Sequence, residues 1–459
     1  MNFRAILFVL GNITMLFGLC LAAPLVVALL IDSGTENEWL ECAAFAGTMA
    51  FSVSVGAVLR RVYRDQAKEI RLREGFVVVS FSWLTMGAIG ILPYVLSGAI
   101  PSVTDAFFET MSGLTTTGAT ILSDIEALPH GVQFWRCMTQ WIGGMGIVVL
   151  SVALLPFLGV GGYHLLKAET PGGVAYERDR PRITENAQLM WRLYIGLTLT
   201  LVGLLWLGGM DLYHAACHAF TTMSTGGFSP HAKSLGHYTS PFIQWTVIVF
   251  MFLAGTNFSL HAYAFRRNFG AVWRNSEFKT YAALMVAVSL LFSALVPLNT
   301  GIEAHVRAVT FQVVSIVTTT GFGTADYDAW PQVVRLGFVL LMFIGGSMGS
   351  TSGGMKVARW VVYSKALVRE LHRMVYPHAV EKVRINGSPV DQKLILNLFS
   401  FGLVWTGLFV LGSIVMAASG YDLPTATSAS ISALGNIGPG LAQVGPTADW
   451  SHLPNPGRE

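Results

Sequence analysis

Charge is what this 459-residue chain has least of. Only 12% of its residues are Asp, Glu, Lys or Arg, about half the ~25% of an ordinary soluble domain. With 53% hydrophobic residues and a mean hydropathy of +0.55, it reads as an all-α polytopic membrane protein. That excludes a soluble enzyme, a nucleic-acid binder and a disordered scaffold. Cysteine is equally scarce. Cys20, Cys42, Cys137 and Cys217 form no CxxC pair, and they read as free thiols, not as a disulfide framework. No nucleotide fingerprint is present, since GGSMGSTSGG (345–354) lacks the Gly-Lys-Ser/Thr ending of a Walker loop. The opening MNFRAILFVLG has no small-residue cleavage site behind a short apolar core, and its apolar run continues to Leu30, as in a retained first span.

Long apolar runs are what the chain has instead. A helix needs ~20 apolar residues to cross a bilayer, and nine such runs occur, at 4–31, 38–59, 75–98, 133–158, 189–209, 241–265, 281–298, 333–363 and 394–418. The connections sort by charge. Segments 60–74, 159–188, 266–279 and 356–393, with Arg4 and Arg192, hold 24 of the 29 basic and 11 of the 26 acidic residues. The remainder hold 5 basic and 15 acidic residues, so one side is +13 and the other −10. The positive-inside rule then places the N-terminus in the cytoplasm. Acids such as Asp32, Glu36, Glu38, Glu41, Asp124, Glu126, Asp326 and Asp328 fall outside, where a mouth of one sign concentrates counter-ions.

Four of the outer connections repeat one another. TDAFFETMSGLTTTGAT (104–120), HAACHAFTTMSTGGFS (214–229), HVRAVTFQVVSIVTTTGFGT (305–324) and TATSASISALGNIGPG (425–440) are moderately apolar and too short to cross. Aligned on the glycine that closes each, they give Gly118, Gly227, Gly321 and Gly438. Gly226 competes at the second loop, but Gly227-Phe228 matches Gly321-Phe322. The repeated unit is a span, a half-span with a Gly-rich return, and a span. Non-helical backbone at membrane depth persists only when buried in protein or lining water. Four such segments around one axis present carbonyls that can replace a cation's hydration shell. Short helices before them aim their negative ends at the same point, and neighbouring Thr and Ser hydroxyls, among them Thr117 and Thr320, can tie the strands in place.

In the eighth span, GGSMGSTSGGMK (345–356) carries five Gly and three Ser. Such a run interrupts a helix and implies a water-filled path beside it. Lys356 at its inner end can repel cations, hold the loop by hydrogen bonds, or snorkel. Gly345 to Gly349 also matches GxSxG, but a membrane helix, not a strand, precedes Ser347. The match is therefore a remote alternative, an intramembrane serine hydrolase. A proton- or sodium-coupled secondary transporter is the other alternative. The span centres lack Asp and Glu, against a carboxylate relay, and the nearest polar pair is Asn257 and His261.

The motifs FFETMSGLTTTGAT, QWIGGMGIVVL (140–150), AFTTMSTGGFS, TTTGFGT, GGSMGSTSGGMK and SALGNIGPG resemble the potassium transporter superfamily of bacterial Trk and Ktr pore subunits and plant HKT proteins. The likeness is closest to the Trk branch and runs from residue 1 to about 445. It implies four membrane helix–pore loop–membrane helix units around one pore, at 71–187, 188–275, 276–388 and 389–459, behind two N-terminal helices at 1–70. It implies a potassium filter at Thr117, Gly118, Gly226, Gly227, Thr320, Gly321, Asn436 and Gly438, with K+ held at Gly118, Gly227, Gly321 and Gly438. It implies a gating loop of Gly345, Gly346, Ser347, Gly349, Ser352, Gly353, Gly354 and Lys356. K+ is then substrate, with no covalently bound cofactor and no catalytic residue. The implied partners are a second copy in a homodimer, a cytosolic nucleotide-binding regulatory subunit (TrkA-like) and membrane lipids. The implied location is the bacterial inner membrane. One departure stands out: after Gly440 come only 19 polar, Pro-rich residues, so the closing helix of the fourth repeat is expected to be missing.

Overall fold

A computed structural model describes residues 2–34, 38–64, 72–154, 180–379 and 381–452. Helices dominate, and the strands among the described residues are a small antiparallel pair, β1 (Arg384–Ile385) with β2 (Ser388–Pro389). Among the described residues, six helical stretches are long and apolar enough to cross a membrane, and a seventh if one bent pair counts as a span. The protein is a multi-pass helical membrane protein.

The chain begins with α1 (Phe3–Cys20) and α2 (Ala22–Ile31), which part at Leu21, just before Pro24. Helix α3 (Glu38–Val62) packs back on α1. A β-carbon at Gly56 would lie 2.6 Å from the Gly11 carbonyl, so bare glycines let the two backbones touch. Then come α4 (Leu72–Gly90), α5 (Leu92–Leu96), the short α6 (Val103–Leu114) and α7 (His130–Leu154). A similar order follows: α8 (Arg180–Leu207), short α9 (Leu212–Met223), then α10 (Pro241–Ala254) and α11 (Phe258–Phe265). After α12 (Phe269–Arg274), helix α13 (Ser276–Leu295) leads to short α14 (Ile302–Val317), then α15 (Gln332–Met342) and α16 (Val357–Val375). Helix α17 (Gln392–Ala418) leads to short α18 (Leu423–Gly435).

One span expected to be a single helix is not. The run 241–265 is two helices bent by 105° at Gly255-Thr256-Asn257. The backbone groups freed there are used: Gly255 O accepts from Ser347 N at 2.8 Å, and Phe258 N donates to Gly349 O at 3.1 Å. His261, at the far side of the bend, bonds the Leu253 carbonyl at 2.9 Å and packs against Phe258. The run 333–363 is α15 and α16 with the expected Gly-rich interruption between them. The part of the expected span 133–158 beyond Leu154 lies outside the described residues. All four cysteines are free thiols, with Cys137 and Cys217 buried.

Candidate permeation site

Two of the four short helices are capped by a side chain. Ser102 Oγ accepts from Asp105 N at 3.3 Å ahead of α6, and Asp211 caps α9 through His214 N at 3.1 Å. Pro424 begins α18, where its missing N–H costs nothing. Each helix ends in the same way. Just past it stands a residue with positive φ: Thr116 (+60°), Thr225 (+53°), Thr319 (+56°) and Asn436 (+55°). Two residues further comes a glycine with positive φ: Gly118 (+80°), Gly227 (+79°), Gly321 (+80°) and Gly438 (+100°). A β-branched residue in the left-handed region is strained by ~1–2 kcal/mol, and here three threonines adopt it at equivalent places. Asn436, which tolerates that region better, is the fourth.

The four returns meet head to tail. A β-carbon on Gly118 would lie 2.1 Å from Gly226 O, one on Gly227 1.9 Å from Thr320 O, and one on Gly321 2.0 Å from Ile437 O. One on Gly438 would lie 2.9 Å from Thr117 O. The oxygen met in each case belongs to the residue just before the next closing glycine, so the contacts run from the first loop to the fourth and back to the first. This register makes Gly227, not Gly226, the backbone equivalent of the other three. Thr117 Oγ1 donates to Asn436 Oδ1 at 2.8 Å, joining the first and fourth loops. Thr318 and Thr320 share a hydroxyl contact of 2.7 Å within the third.

Behind the ring stand polar groups that sequence reasoning did not single out. Gln140 on α7 bridges the second strand, donating to Gly226 O at 2.7 Å and accepting from Phe228 N at 3.1 Å. Glu109 and Arg136 form a buried ion pair of 2.5 Å. Glu109 accepts from Thr120 Oγ1 and Ile121 N of the first strand. Arg136 donates to Ser229 O of the second at 3.1 Å and lies 3.6 Å over the Phe228 ring. Glu109 stands inside the quoted repeat and Arg136 just upstream of QWIGG, but residues 27 apart on different helices give no local signal of pairing. Further out, Gly236 N donates to Gly323 O, Tyr327 Oη to Gly440 O, and Trp450 N to Thr120 O. The second outer connection is thereby fastened to the third, the third to the fourth and the fourth to the first.

The Gly-rich segment 345–356 lies against the inner ends of three of the four loops. Thr351 Oγ1 meets Thr225 Oγ1 at 3.3 Å and donates to the Met223 carbonyl at 3.1 Å. Gly353 N donates to Thr319 Oγ1 at 2.7 Å, and a β-carbon on Gly353 would lie 2.1 Å from Gly435 O. The strained Thr225 and Thr319 are thus held by the segment beneath them. Positive φ recurs at Gly345, Gly349, Gly354 and Lys356. Gly346 O accepts from Val357 N at 3.0 Å, and Ser347, Ser350 and Ser352 are buried. Lys356 turns back and donates to the Ser352 carbonyl. Glu277, at the start of α13, accepts from Met348 N at 2.7 Å and from Ala358 N at 3.2 Å, clamping both ends of the segment.

The acids read as a cation-concentrating mouth have structural partners too. Asp32 accepts from His130 Nδ1 and Gly131 N, and Glu41 from Val132 N at 2.9 Å. Both carboxylates are buried and sit at the N-terminus of α7, where negative charge is favoured. Glu36 lies outside the described residues. Asp328 pairs with Arg335 at 2.7 Å and accepts from Ala442 N at 3.0 Å.

A multi-pass bundle in which four half-length helices aim strained, glycine-closed returns at one point belongs to the class of pore-loop membrane proteins. Comparison with known proteins narrows the class. The chain belongs to the TrkH family of cation transport proteins, whose family model matches residues 42–302 and 297–451. The Trk system potassium uptake protein TrkH of Escherichia coli (strain K12) is 35% identical over 99% of this chain and 95% of its own length. That of Vibrio parahaemolyticus serotype O3:K6 is 37% identical over 97% of this chain and 92% of its own. The crystal structure of the potassium transporter TrkH from Vibrio parahaemolyticus superposes with a TM-score of 0.88 at 35% identity, covering 99% of this chain and 93% of that one. These relatives are named as transporters, not hydrolases.

Proposed function

We propose that the chain takes up potassium through the ring of four loops. The head-to-tail contact of Gly118, Gly227, Gly321 and Gly438 with the next loop's carbonyls carries this reading. It brings four strands close enough for their carbonyl oxygens to replace the water around one dehydrated cation. The helix C-termini behind the ring add negative potential. Glycine is needed because positive φ and the close neighbour both exclude a side chain. The segment 345–356 is the gate, lying under the ring against three of the four loops. The acid-rich face is external and the basic connections are cytoplasmic, with the N-terminus inside and the bacterial inner membrane as the site of action. Arg359, Lys365, Arg369 and Arg373 on α16 and the basic 382–393 segment offer the surface for a cytosolic TrkA-like regulatory subunit on a homodimer.

The test is rubidium flux into vesicles containing the purified full chain. Flux blocked by external potassium but little affected by equal sodium supports the reading. Equal competition by both ions refutes potassium selectivity.

A further inference from the structure

On the acid-rich face, the connection that follows the second filter strand carries a stack of imidazoles. His231 and His237 lie face to face with centroids 3.8 Å apart and planes 4° off parallel. His214 from α9 stacks on the other side of His231 at 4.6 Å and 19°. His218 lies one helical turn below His214, 6.4 Å from His231. Parallel imidazoles at this spacing suit uncharged rings, because stacked cations repel with little water between them.

The stack is wired to the filter. His231 N donates to Ser229 Oγ at 3.0 Å, and His218 Nε2 meets the same hydroxyl at 3.2 Å. Ser229 stands two residues after Gly227, and its carbonyl accepts from Arg136. His218 also packs on Phe322, next to Gly321.

We propose that the His214–His231–His237 stack is a proton-binding site through which external acid lowers conduction; this rests on the potassium-uptake reading and on the acid-rich face being external. The groups facing the stack are few. Asp211 contacts His214 from the same helix, and Glu126, from the first loop's outer connection, lies 3.3 Å from His231. Tyr238 Oη is 3.2 Å from His231 Nε2, and Tyr213 packs on His214. On the neighbouring helix, His130 is already committed to Asp32. Asp211 serves the end ring His214 and the exposed Glu126 the central ring His231, but His231 has a cation on either side once both neighbouring rings charge. Burial, then the neighbouring His214 and His237, hold the His231 imidazole below its ordinary 6.5. A lowered value means that the folded state favours the neutral ring. This stabilisation is complete above 6.5 and is lost as pH falls through the folded value. Acid therefore splits the stack, loosens the segment that follows Gly227, and adds positive charge where cations enter.

The test compares wild type with H231Q/H237Q, whose amides cannot take up a proton near neutral pH. In cells lacking other potassium uptake, wild-type rubidium uptake should fall about fivefold as external pH drops from about 7.5 to about 5.5, with the variant changing less than about twofold. Both should match at the higher pH. A variant that follows the wild-type profile overturns the proposal. Thermal melting of the purified proteins gives a readout independent of transport. Wild type should lose melting temperature over that pH range and the variant should lose less; equal losses overturn the proton site. If neither protein carries rubidium at any pH while the melting curves diverge, the uptake reading fails and the proton site stands. Should the double variant fold poorly, H237Q at the exposed end of the stack supports the same comparison.

Discussion

Alanine at Gly227 should destroy ion discrimination, whereas alanine at its neighbour Gly226 should not. The two glycines are adjacent, yet their surroundings differ in kind. At Gly227 a β-carbon would fall 1.9 Å from the backbone oxygen of Thr320, and the residue holds φ at +79°. Reaching a normal contact of about 3.5 Å requires the two strands to part by roughly 1.5 Å. The left-handed backbone adds ~1–2 kcal/mol for any L-residue with a side chain. Discrimination between two monovalent cations changes tenfold for every ~1.4 kcal/mol, so potassium-over-sodium selectivity should fall by at least about tenfold. At Gly226 the β-carbon would instead meet the Gln140 amide, at 2.3 Å from Cδ. A side chain can be removed. Gly226→Ala in a Gln140→Ala background should therefore be no worse than Gln140→Ala alone, a non-additivity expected only of groups in contact. Gly227→Ala has no such rescue, because its obstacle is backbone. The assay is rubidium uptake into vesicles against graded sodium and potassium, at equal protein level. Wild-type selectivity in Gly227→Ala, or a greater loss in Gly226→Ala, would refute the ring register.

Two further outcomes are expected. Deleting residues 347–352 removes the segment lying under three filter loops and should raise rubidium flux several-fold; protein that stays monodisperse with unaltered flux would count against the gate. Replacing Glu277 by Ala leaves the Met348 and Ala358 amides without their acceptor, at ~1–3 kcal/mol for each buried group, and should lower the melting temperature clearly. Glu277→Gln, which keeps an acceptor oxygen, should lower it much less, and identical melting of the two variants would argue against the clamp.

Much of the ring was legible in the sequence because its constraint is local. Positive φ and a near neighbour demand glycine, so the requirement is written at 118, 227, 321 and 438. The Gly-rich break at 345–354 was legible for the same reason. What sequence could not give are features made by partners far apart in the chain. The bend at Gly255-Asn257 looks like an ordinary weak point in an apolar run, and it forms because the 347–349 backbone takes up the freed hydrogen bonds. Glu277 counted as one more acid in a basic connection until the fold turned it inward. Asp32 and Glu41 looked like a charged mouth, yet cap α7. The four imidazoles 214, 218, 231 and 237 are spread over 24 positions, and only the turn after the second strand stacks them.

The ring is closed by four different peptide sequences in one chain, Thr117-Gly118, Gly226-Gly227, Thr320-Gly321 and Ile437-Gly438. In an assembly of identical subunits, one codon change alters every quadrant of such an opening together. Here it alters one and leaves three in place. If the ring is the proposed filter, selectivity drifts in quarter steps, and each quadrant can carry a separate duty: the second its link to the histidines, the second to fourth their contact with the segment below. The first quadrant meets the histidines through Glu126 and the fourth quadrant through the Thr117–Asn436 bond, so its duty differs again.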